Sequence, residues 1–301
     1  MARAYASTII DAKVETVWAT VRDFGGLANW LPPIERSTIE DGRDGDSVGC
    51  VRALHIAGGG FCTERLLALD DSRYTMTYGF VQPAFPIRDY VSTIELIPVT
   101  SGDRTFVQWS GTFEEAPEDA GKYQAIIAND IYAAGLAALP GRLGAPQAGK
   151  LRWDGWRPAK VFCSSVINGK LPDVWARVRD FAGMDDWHPA LDGMHMLGGV
   201  RSDKVSGVRA FSLGDGKLHE RLTGFSDVEH AFRYTIEHSP MPWMNYHAGA
   251  RFRPVTDSNR TFAVWTADWI AAPNDDVMLI PDIHQNVFQT AFDTLNERYF
   301  R

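Results

Sequence analysis

Two glutamates occupy repeated positions from which they could exchange protons with a ligand. Glu64 lies in the segment TERL and Glu220 in HERL, where apolar and polar residues alternate as they do in a strand. Side chains alternate along a strand, so Glu64 shares a face with Cys62, and the apolar pattern predicts that this face is interior. Burial would raise the pKa of such a glutamate toward the range useful for acid–base catalysis. The alternative is an ion pair with an arginine of the neighbouring strand, Arg52 or Arg209.

Other titratable side chains could complete a proton-transfer set. His284 lies on the predicted apolar stripe of the last helix, and Asp268 lies on a strand at 260–270, where it could orient or deprotonate His284. Tyr90 and Tyr246, at repeated positions, are further candidates. Alternatively, His284 is a core residue with its hydrogen bonds made inside the protein, and Asp268 lies at a strand end in contact with solvent. The second copy carries more titratable residues, so it is the first place to look for a reaction.

Sequence patterns typical of metal, nucleotide and nucleophile sites are missing. The sequence contains no HExxH, CxxC, GxSxG or Walker pattern, and its histidines do not have metal-ligand spacing. The glycines 58–60 lie in a turn between strands and do not open a helix. We therefore expect no metal and no cofactor.

The composition restricts the class of protein and its partners. The 301 residues are 45% hydrophobic and 23% charged, and the formal net charge of −8 argues against a nucleic-acid partner. No apolar run approaches the length of about 18 residues needed to span a bilayer, so no membrane insertion is expected. An odd number of cysteines, three, and no recognisable signal peptide favour the cytoplasm. The oligomeric state is left open.

The sequence contains one domain twice. Residues 17–54 match residues 174–211 at an offset of 157, with 16 identities in 38 positions. This predicts a first domain at 1–142, a linker rich in Gly and Pro at 143–158, and a second domain at 159–301.

Each copy has the same predicted order of elements. A short strand and two short helices precede about six strands in meander order, and a long helix closes the copy at 117–139 or 275–299. This order cannot form parallel βαβ units. It predicts an α+β fold in which a curved antiparallel seven-stranded sheet wraps around the closing helix and leaves an apolar cavity between them.

This arrangement resembles the START-like helix-grip superfamily (SRPBCC), which includes polyketide cyclases and dehydrases, lipid-transfer domains and the birch-pollen-allergen proteins. The resemblance covers nearly the whole chain as two tandem copies. Within it, VGCVRALHIAGGGFCTERLLALDD (48–71) and PAFPIRDY (83–90) are similar to the gate and latch segments of plant abscisic-acid receptors. The lysine that pairs with the ligand of those receptors falls near Pro32 or Pro33, and neither copy has a lysine there, which implies a less acidic ligand.

The resemblance also implies a function and a set of ligand contacts. It implies a lyase, cyclase or dehydratase that works without a cofactor on an apolar, phenolic or polyketide-like aromatic molecule. A carrier, sensor or transport protein without turnover is the alternative. Together with the strand and helix patterns, it places ligand contacts at Leu54, Ile56, Gly59, Phe61, Tyr78, Ile87, Gln108, Ser110, Asn129, His188, Phe211, Leu218, Trp243 and Thr266. Glu64 takes the position of the family's pocket acid.

Overall fold

The computed structural model describes residues 1–40, 42–144 and 158–301, which divide into two compact units. Each unit has seven strands and a closing helix, so the predicted tandem α+β helix-grip fold is confirmed. The predicted linker at 143–158 falls almost entirely outside the described residues. In the part of the chain that is described, no helix has the length and apolar character needed to cross a bilayer.

Domain 1, the first unit, contains the first seven strands. Helix α1 (Val14–Val21) buries its apolar face, including Val17 and Trp18, and a 3-10 helix (Phe24–Asn29) follows it. The strands are β1 (Ala2–Ile10), β2 (Ile34–Ile39), β3 (Val51–Ile56), β4 (Gly60–Asp70), β5 (Thr75–Gln82), β6 (Arg88–Val99) and β7 (Arg104–Glu114). After a 3-10 turn (Pro117–Asp119), the closing helix consists of α2 (Lys122–Ala125), a π-helix (Ile126–Ala133) and α3 (Ala134–Ala138), and a 3-10 turn (Leu139–Arg142) ends it.

Domain 2, the second unit, repeats this order. Helix α4 (Leu171–Val178) has Pro172 in its first turn, where the missing N–H is not needed. The strands are β8 (Val161–Ile167), β9 (Leu191–Met196), β10 (Val208–Leu213), β11 (Gly216–Ser226), β12 (Ala231–His238), β13 (Met244–Val255) and β14 (Arg260–Ile270). Short 3-10 helices lie at Met184–Asp186 and Leu197–Gly199. The closing helix consists of α5 (Pro273–Asp282), a π-helix (Ile283–Gln289) and α6 (Thr290–Arg298).

Each sheet is an antiparallel meander whose first strand pairs with its last. The strand orders are β1-β7-β6-β5-β4-β3-β2 and β8-β14-β13-β12-β11-β10-β9. One face of each sheet packs on the closing helix and forms the core, as the alternation of buried and partly exposed residues along β7 illustrates. Cys62, Glu64 and Leu66 share this inner face, as predicted.

Candidate functional site

A buried ion pair joins β3 to β4. Arg52 Nε donates to Glu64 Oε2 at 2.8 Å, its Nη2 lies 2.6 Å from the same oxygen, and its Nη1 donates to the Phe24 carbonyl at 2.8 Å. The two residues are only 2% and 5% exposed. The glutamate is therefore interior, and the structure shows the ion pair with the neighbouring strand that was the alternative to a free pocket acid.

Domain 2 repeats the ion pair with Arg209 and Glu220. Arg209 Nε donates to Glu220 Oε2 at 2.7 Å, and its Nη1 donates to the Phe181 carbonyl at 2.5 Å. Burial raises the pKa of Glu220 above its ordinary value, and the charge and hydrogen bond of Arg209 oppose that shift. The arginine contacts of both glutamates use Oε2, so Oε1 is the oxygen with which each could accept a further hydrogen bond.

Aromatic rings cover the two guanidinium groups. The Arg52 guanidinium lies 4.0 Å from the Phe24 ring centroid and 4.8 Å from that of Tyr78. Arg209 lies 3.8 Å from the Phe181 centroid and 5.4 Å from that of Tyr234. Each ion pair is thus held in an apolar, aromatic environment in which a charge interacts more strongly than it does in water.

A cluster of hydroxyl groups lies next to the ion pair of domain 1. We define the hydroxyl cluster as Tyr78, Tyr90, Ser92, Trp109 and Tyr132. Trp109 Nε1 donates to the Tyr78 hydroxyl at 2.9 Å and to Ser92 Oγ at 3.0 Å. The Tyr132 hydroxyl lies 2.9 Å from Ser92 Oγ and 2.7 Å from the Tyr90 hydroxyl, and Ser92 Oγ donates to a backbone carbonyl of β7 at 3.2 Å. Strands β5, β6 and β7 and the closing helix therefore meet in one polar network.

Burial keeps the tyrosines of this cluster protonated. Desolvation raises the pKa of Tyr78, Tyr90 and Tyr132 well above the ordinary value for a phenol, and the nearby charge of Glu64 raises it further. At neutral pH the three hydroxyls are therefore hydrogen-bond donors and not phenolates.

Domain 2 keeps the shape of this cluster but loses much of its polarity. Trp265 stacks on Phe288 with 4.6 Å between centroids, as Trp109 stacks on Tyr132 at the same distance. At an offset of 156, Ser92 becomes Ala248 and Tyr132 becomes Phe288. The hydrogen bond from Trp265 Nε1 to the Tyr234 hydroxyl, at 3.2 Å, is kept and corresponds to that from Trp109 to Tyr78. The fold therefore does not require the complete hydroxyl cluster.

The residue below the Tyr132 hydroxyl also differs between the copies. A Cβ added to Gly111 would overlap the Tyr132 hydroxyl oxygen and would lie 3.3 Å from the Tyr90 ring. In domain 2 the corresponding residues are Ala267 and Phe288, which belong to the same buried cluster, and Phe288 has no hydroxyl. Glycine with tyrosine and alanine with phenylalanine are thus two ways to fill the same volume.

The predicted gate turns differ in their surroundings. Gly58 and Gly59 adopt φ of 83° and 91°, and a Cβ added to either would meet no atom within 4 Å. In domain 2 the segments equivalent to the gate and the latch are 214–216 and 240–243, and a Cβ added to Gly216 would lie 3.0 Å from Pro240. Trp243 of that latch packs 4.8 Å from the Tyr246 ring. Gly214, like its counterpart Gly58, has open space around it, so the contact between gate and latch in domain 2 is confined to Gly216.

Many of the predicted site residues lie in the interior. Ile56 and Trp243 are partly buried against the two cores, and Gly59 is exposed in its turn. The fully buried residues are Leu54, Glu64, Tyr78, Ile87 and Tyr90 in domain 1, and His188, Phe211, Leu218, Glu220 and Tyr246 in domain 2. Their roles toward a ligand remain predictions.

The predicted inner face of β7 and β14 is wrong. Gln108, Ser110, Thr266 and Asp268 lie on the outer face, because the bulky Trp109 and its neighbours on alternate positions fill the space against the closing helix. Gln108 is hydrogen-bonded to the Tyr5 hydroxyl at 3.1 Å. If the inward-facing positions of a strand are assigned one residue too early or too late, every side chain of that strand is predicted on the opposite face of the sheet.

The outer face also explains the positions of Asp268 and Phe61. Asp268 Oδ1 accepts the backbone N–H of Lys160 at 2.9 Å and lies on the face away from the closing helix that carries His284. The predicted pair of Asp268 with His284 is therefore not supported. Phe61 is 36% exposed and packs edge-on against His55. Its predicted ligand contact is wrong for this conformation.

The π-helices displace two further predicted residues. Ile283 and Phe288 are buried, whereas His284 is only partly buried, because the wider π-turns shift the helix face that meets the core. Asn129, within the corresponding π-helix of domain 1, is exposed. The predicted apolar stripe assumed a regular α-helix, and this assumption placed both residues inside.

His188 is completely buried and not exposed at a mouth. Its Nδ1 accepts the backbone N–H of Ala190 at 3.2 Å, and its Nε2 lies 3.0 Å from the Val287 carbonyl, to which it donates. Burial lowers the pKa of His188. The ring is therefore neutral at pH 7 and connects the loop before β9 to the closing helix.

The sequence analysis missed three members of the hydroxyl cluster: Ser92, Trp109 and Tyr132. Ser92 lies two residues after Tyr90 on the same face of β6, which is a signal that could have identified it. Tyr132 lies on a helix with irregular turns, where no simple period indicates its direction. Among the described residues, no group of three or more His, Cys, Asp or Glu side chains could hold a metal ion.

Comparisons with known proteins agree with the repeat. Residues 1–144 and 159–299 match the family described as Polyketide cyclase / dehydrase and lipid transport. Protein XoxI from Bacillus cereus is 32% identical over 48% of this chain and 96% of its own, with a TM-score of 0.43. The di-domain ARO/CYC BexL from the BE-7585A biosynthetic pathway is 12% identical over 99% of this chain and 98% of its own, with a TM-score of 0.41.

A third similar structure is norcoclaurine synthase from Thalictrum flavum. It is 19% identical over 46% of this chain and 84% of its own, with a TM-score of 0.40. The family match, in contrast, extends over both copies and nearly all of the chain. The chain therefore belongs to the polyketide cyclase / dehydrase and lipid transport family.

Proposed function

We propose that the protein binds an apolar, aromatic small molecule between sheet and closing helix, and that domain 1 carries out acid–base chemistry on it without a cofactor. A cyclase, dehydratase or lyase reaction fits this proposal. The family to which the chain belongs supports the binding of a hydrophobic small molecule. The reaction type rests on the residues of domain 1.

One observation carries the proposal: the hydroxyl cluster adjoins a buried carboxylate in domain 1, and in domain 2 two of its hydroxyls are replaced by the apolar side chains of Ala248 and Phe288. Ala248 and Phe288 show that this fold packs without the hydroxyls of Ser92 and Tyr132. Buried polar groups are costly unless they are paired, so their presence in one copy favours a functional reason.

The groups of domain 1 suit proton transfer beside a carbonyl group. Glu64 Oε1 would accept the proton from a carbon next to the carbonyl. A Tyr78 or Tyr90 hydroxyl, protonated because burial raises its pKa, would donate a hydrogen bond to the oxygen on which negative charge develops. The proton returned by Glu64 to a hydroxyl leaving group would complete a dehydration. The ion pair with Arg52 holds the carboxylate of Glu64 in position beside the hydroxyl cluster.

The experiment combines binding with product detection. The protein is mixed with a panel of phenols and polyketide-like aromatic ketones, thermal stabilisation is measured, and products are separated by chromatography. Stabilisation and product formation are expected for the wild type, and Glu64→Gln should remove the product. Glu237→Gln, in an exposed ion pair with Arg221, is the control for a general effect of losing a carboxylate. Product that survives both Glu64→Gln and Glu220→Gln would refute the acid–base roles.

A non-catalytic binding protein is the second candidate. The observation that favours it is the tight pairing of both glutamates, because a buried ion pair between neighbouring strands also has a purely structural role. Thermal stabilisation by several aromatic ligands without any product would support a carrier or sensor.

A further inference from the structure

Two tryptophans at the same repeat position have buried indole N–H groups without a partner. Trp30 and Trp187 are 4% and 3% exposed, and among the described residues neither Nε1 has a hydrogen-bond acceptor. Both follow a short 3-10 helix, at an offset of 157 residues. The two copies of the domain therefore share the same unsatisfied donor.

Other tryptophans at equivalent positions of the two copies donate their indole N–H to the same type of acceptor. Trp18 Nε1 donates to Asp71 at 2.8 Å, and Trp175 Nε1 donates to Asp227 at 2.7 Å. Trp109 and Trp265 both donate to a tyrosine hydroxyl. Where an indole of the repeat has an acceptor, the acceptor is thus of the same type in both copies, and Trp30 and Trp187 likewise share an unsatisfied N–H group. The third unpaired indole, Trp243, has Ile87 as its counterpart and is not shared.

The rings next to these two indoles do not offer a hydrogen-bond acceptor for their N–H groups. Trp30 packs against Trp109, with 5.5 Å between ring centroids, and the Trp109 nitrogen is itself a donor. The residue after Trp187, His188, already accepts the Ala190 N–H at Nδ1 and uses Nε2 as a donor. A buried N–H left in this state loses its hydration without compensation.

Trp30 lies where the proposed ligand would lie. A Cβ added to Gly135 of the closing helix would be 3.5 Å from the Trp30 ring and 3.1 Å from the Trp109 ring. Trp30 is therefore wedged between the closing helix and the inner face of β7. Trp109, the next ring, belongs to the hydroxyl cluster, so an acceptor that reaches the indole would lie beside that cluster.

We propose that Trp30 and Trp187 are ligand-binding residues whose Nε1–H groups donate to a neutral acceptor oxygen, such as a ketone carbonyl, on an aromatic ligand. The indole N–H is only a donor, so the ligand must supply the acceptor. Among the described residues, the ring contacts of the two indoles are with Trp109 and with the neutral His188, so the oxygen need not be charged. This inference rests on the proposed binding function and adds to it the chemical class of the ligand and one anchoring residue in each domain.

A matched pair of probes tests the inference. The compounds 2-acetylnaphthalene and 2-isopropenylnaphthalene have nearly the same shape, but only the first carries an acceptor oxygen. Calorimetric titration of the wild type should show roughly fivefold tighter binding of the ketone, as expected for one net hydrogen bond. The preference should fall below about twofold in the double variant Trp30→Phe and Trp187→Phe. It should remain in Trp18→Phe, whose indole is bound to Asp71.

A spectroscopic measurement on the wild-type chain decides the question even if a variant fails to fold. In ¹H–¹⁵N spectra, the indole signals of Trp30 and Trp187 should shift downfield with the ketone and not with the alkene, while those of Trp18 and Trp175 stay in place. Equal affinities for the two probes, or a long-lived water on both indoles that persists with the ketone, would overturn this inference alone. If neither probe binds, the proposed function fails as well.

Discussion

The difference between Gly111 with Tyr132 and Ala267 with Phe288 gives a prediction that can be worked out from the structure. In Gly111→Ala, the new methyl group would overlap the Tyr132 hydroxyl oxygen. Tyr132 is fully buried, stacks on Trp109 at 4.6 Å and is hydrogen-bonded to two residues, so it cannot move away easily. Gly111 does not have a positive φ, so alanine causes no backbone strain there. We expect a loss of about 1–3 kcal/mol from overpacking.

The second single variant, Tyr132→Phe, removes the hydroxyl that connects Tyr90 to Ser92. The Tyr90 hydroxyl, 2.7 Å away in the wild type, then stays buried without that partner. The expected cost is about 1–3 kcal/mol. In the double variant, however, the methyl group occupies the volume that the hydroxyl has left, as it does in domain 2. We therefore expect the double variant to be at least about 1 kcal/mol more stable than the sum of the two single losses.

The assay is equilibrium unfolding in urea at constant pH, with the free energy taken from the linear dependence on denaturant. Phe288→Tyr and Ala267→Gly in domain 2 form the reverse cycle, in which Phe288→Tyr alone should clash and the double variant should recover. Losses that simply add in both cycles would refute the argument that these residues fill one shared volume.

Three further predictions follow from other buried groups. Burial lowers the pKa of His188, so its contribution to stability is present above the ordinary value of 6.5 and is lost as the pH falls. The variant His188→Leu introduces the residue found at the equivalent position 31. Below pH 6.5, the free energy of urea unfolding should depend less on pH in this variant than in the wild type, by up to about 1.4 kcal/mol per pH unit. An unchanged dependence of the unfolding free energy on pH would contradict this prediction. The variant Glu64→Leu leaves Arg52 charged and buried and should lower the stability of the protein by about 3–5 kcal/mol. Adding Arg52→Met should recover most of this loss in thermal unfolding. A double variant as unstable as Glu64→Leu alone would contradict the interpretation that the loss comes from the unpaired arginine. Burial raises the pKa of Cys62 to about 12. Its thiol should therefore not react with iodoacetamide at pH 8 in the folded protein, and should react after unfolding. Rapid labelling of Cys62 in the folded protein would show that this thiol is accessible to solvent.

The repeat and the order of elements made the fold predictable from the sequence. The alternation around Glu64 also identified the inner face of β4 and its arginine partner on β3, because period-two patterns and cross-strand neighbours are local properties. The same rule failed on β7 and β14, where apolar or small residues lie on both faces and the pattern does not decide which face meets the helix. The large Trp109 and Trp265 decide it, by filling the space next to the closing helix.

The irregular helices limited the prediction of the site. A period of 3.6 residues placed His284 on the apolar stripe, but the π-turns at Ile283–Gln289 bring Ile283 and Phe288 to the core. The same irregularity hid Tyr132, whose hydroxyl joins β6 to the closing helix. Contacts of this kind depend on the relative position of distant elements, and no local pattern in the sequence records them.

The central claim is that an aromatic ligand binds inside domain 1, beside the Arg52–Glu64 pair and the hydroxyl cluster. The most direct measurement is a crystal structure of the wild-type protein grown with a saturating concentration of 2-acetylnaphthalene. We predict ordered density for the naphthalene rings between the closing helix and the sheet, with the ketone oxygen within hydrogen-bond distance of Trp30 or of a hydroxyl of the cluster. Density only on the outer surface, with the interior of domain 1 closed by its own side chains, would contradict the claim.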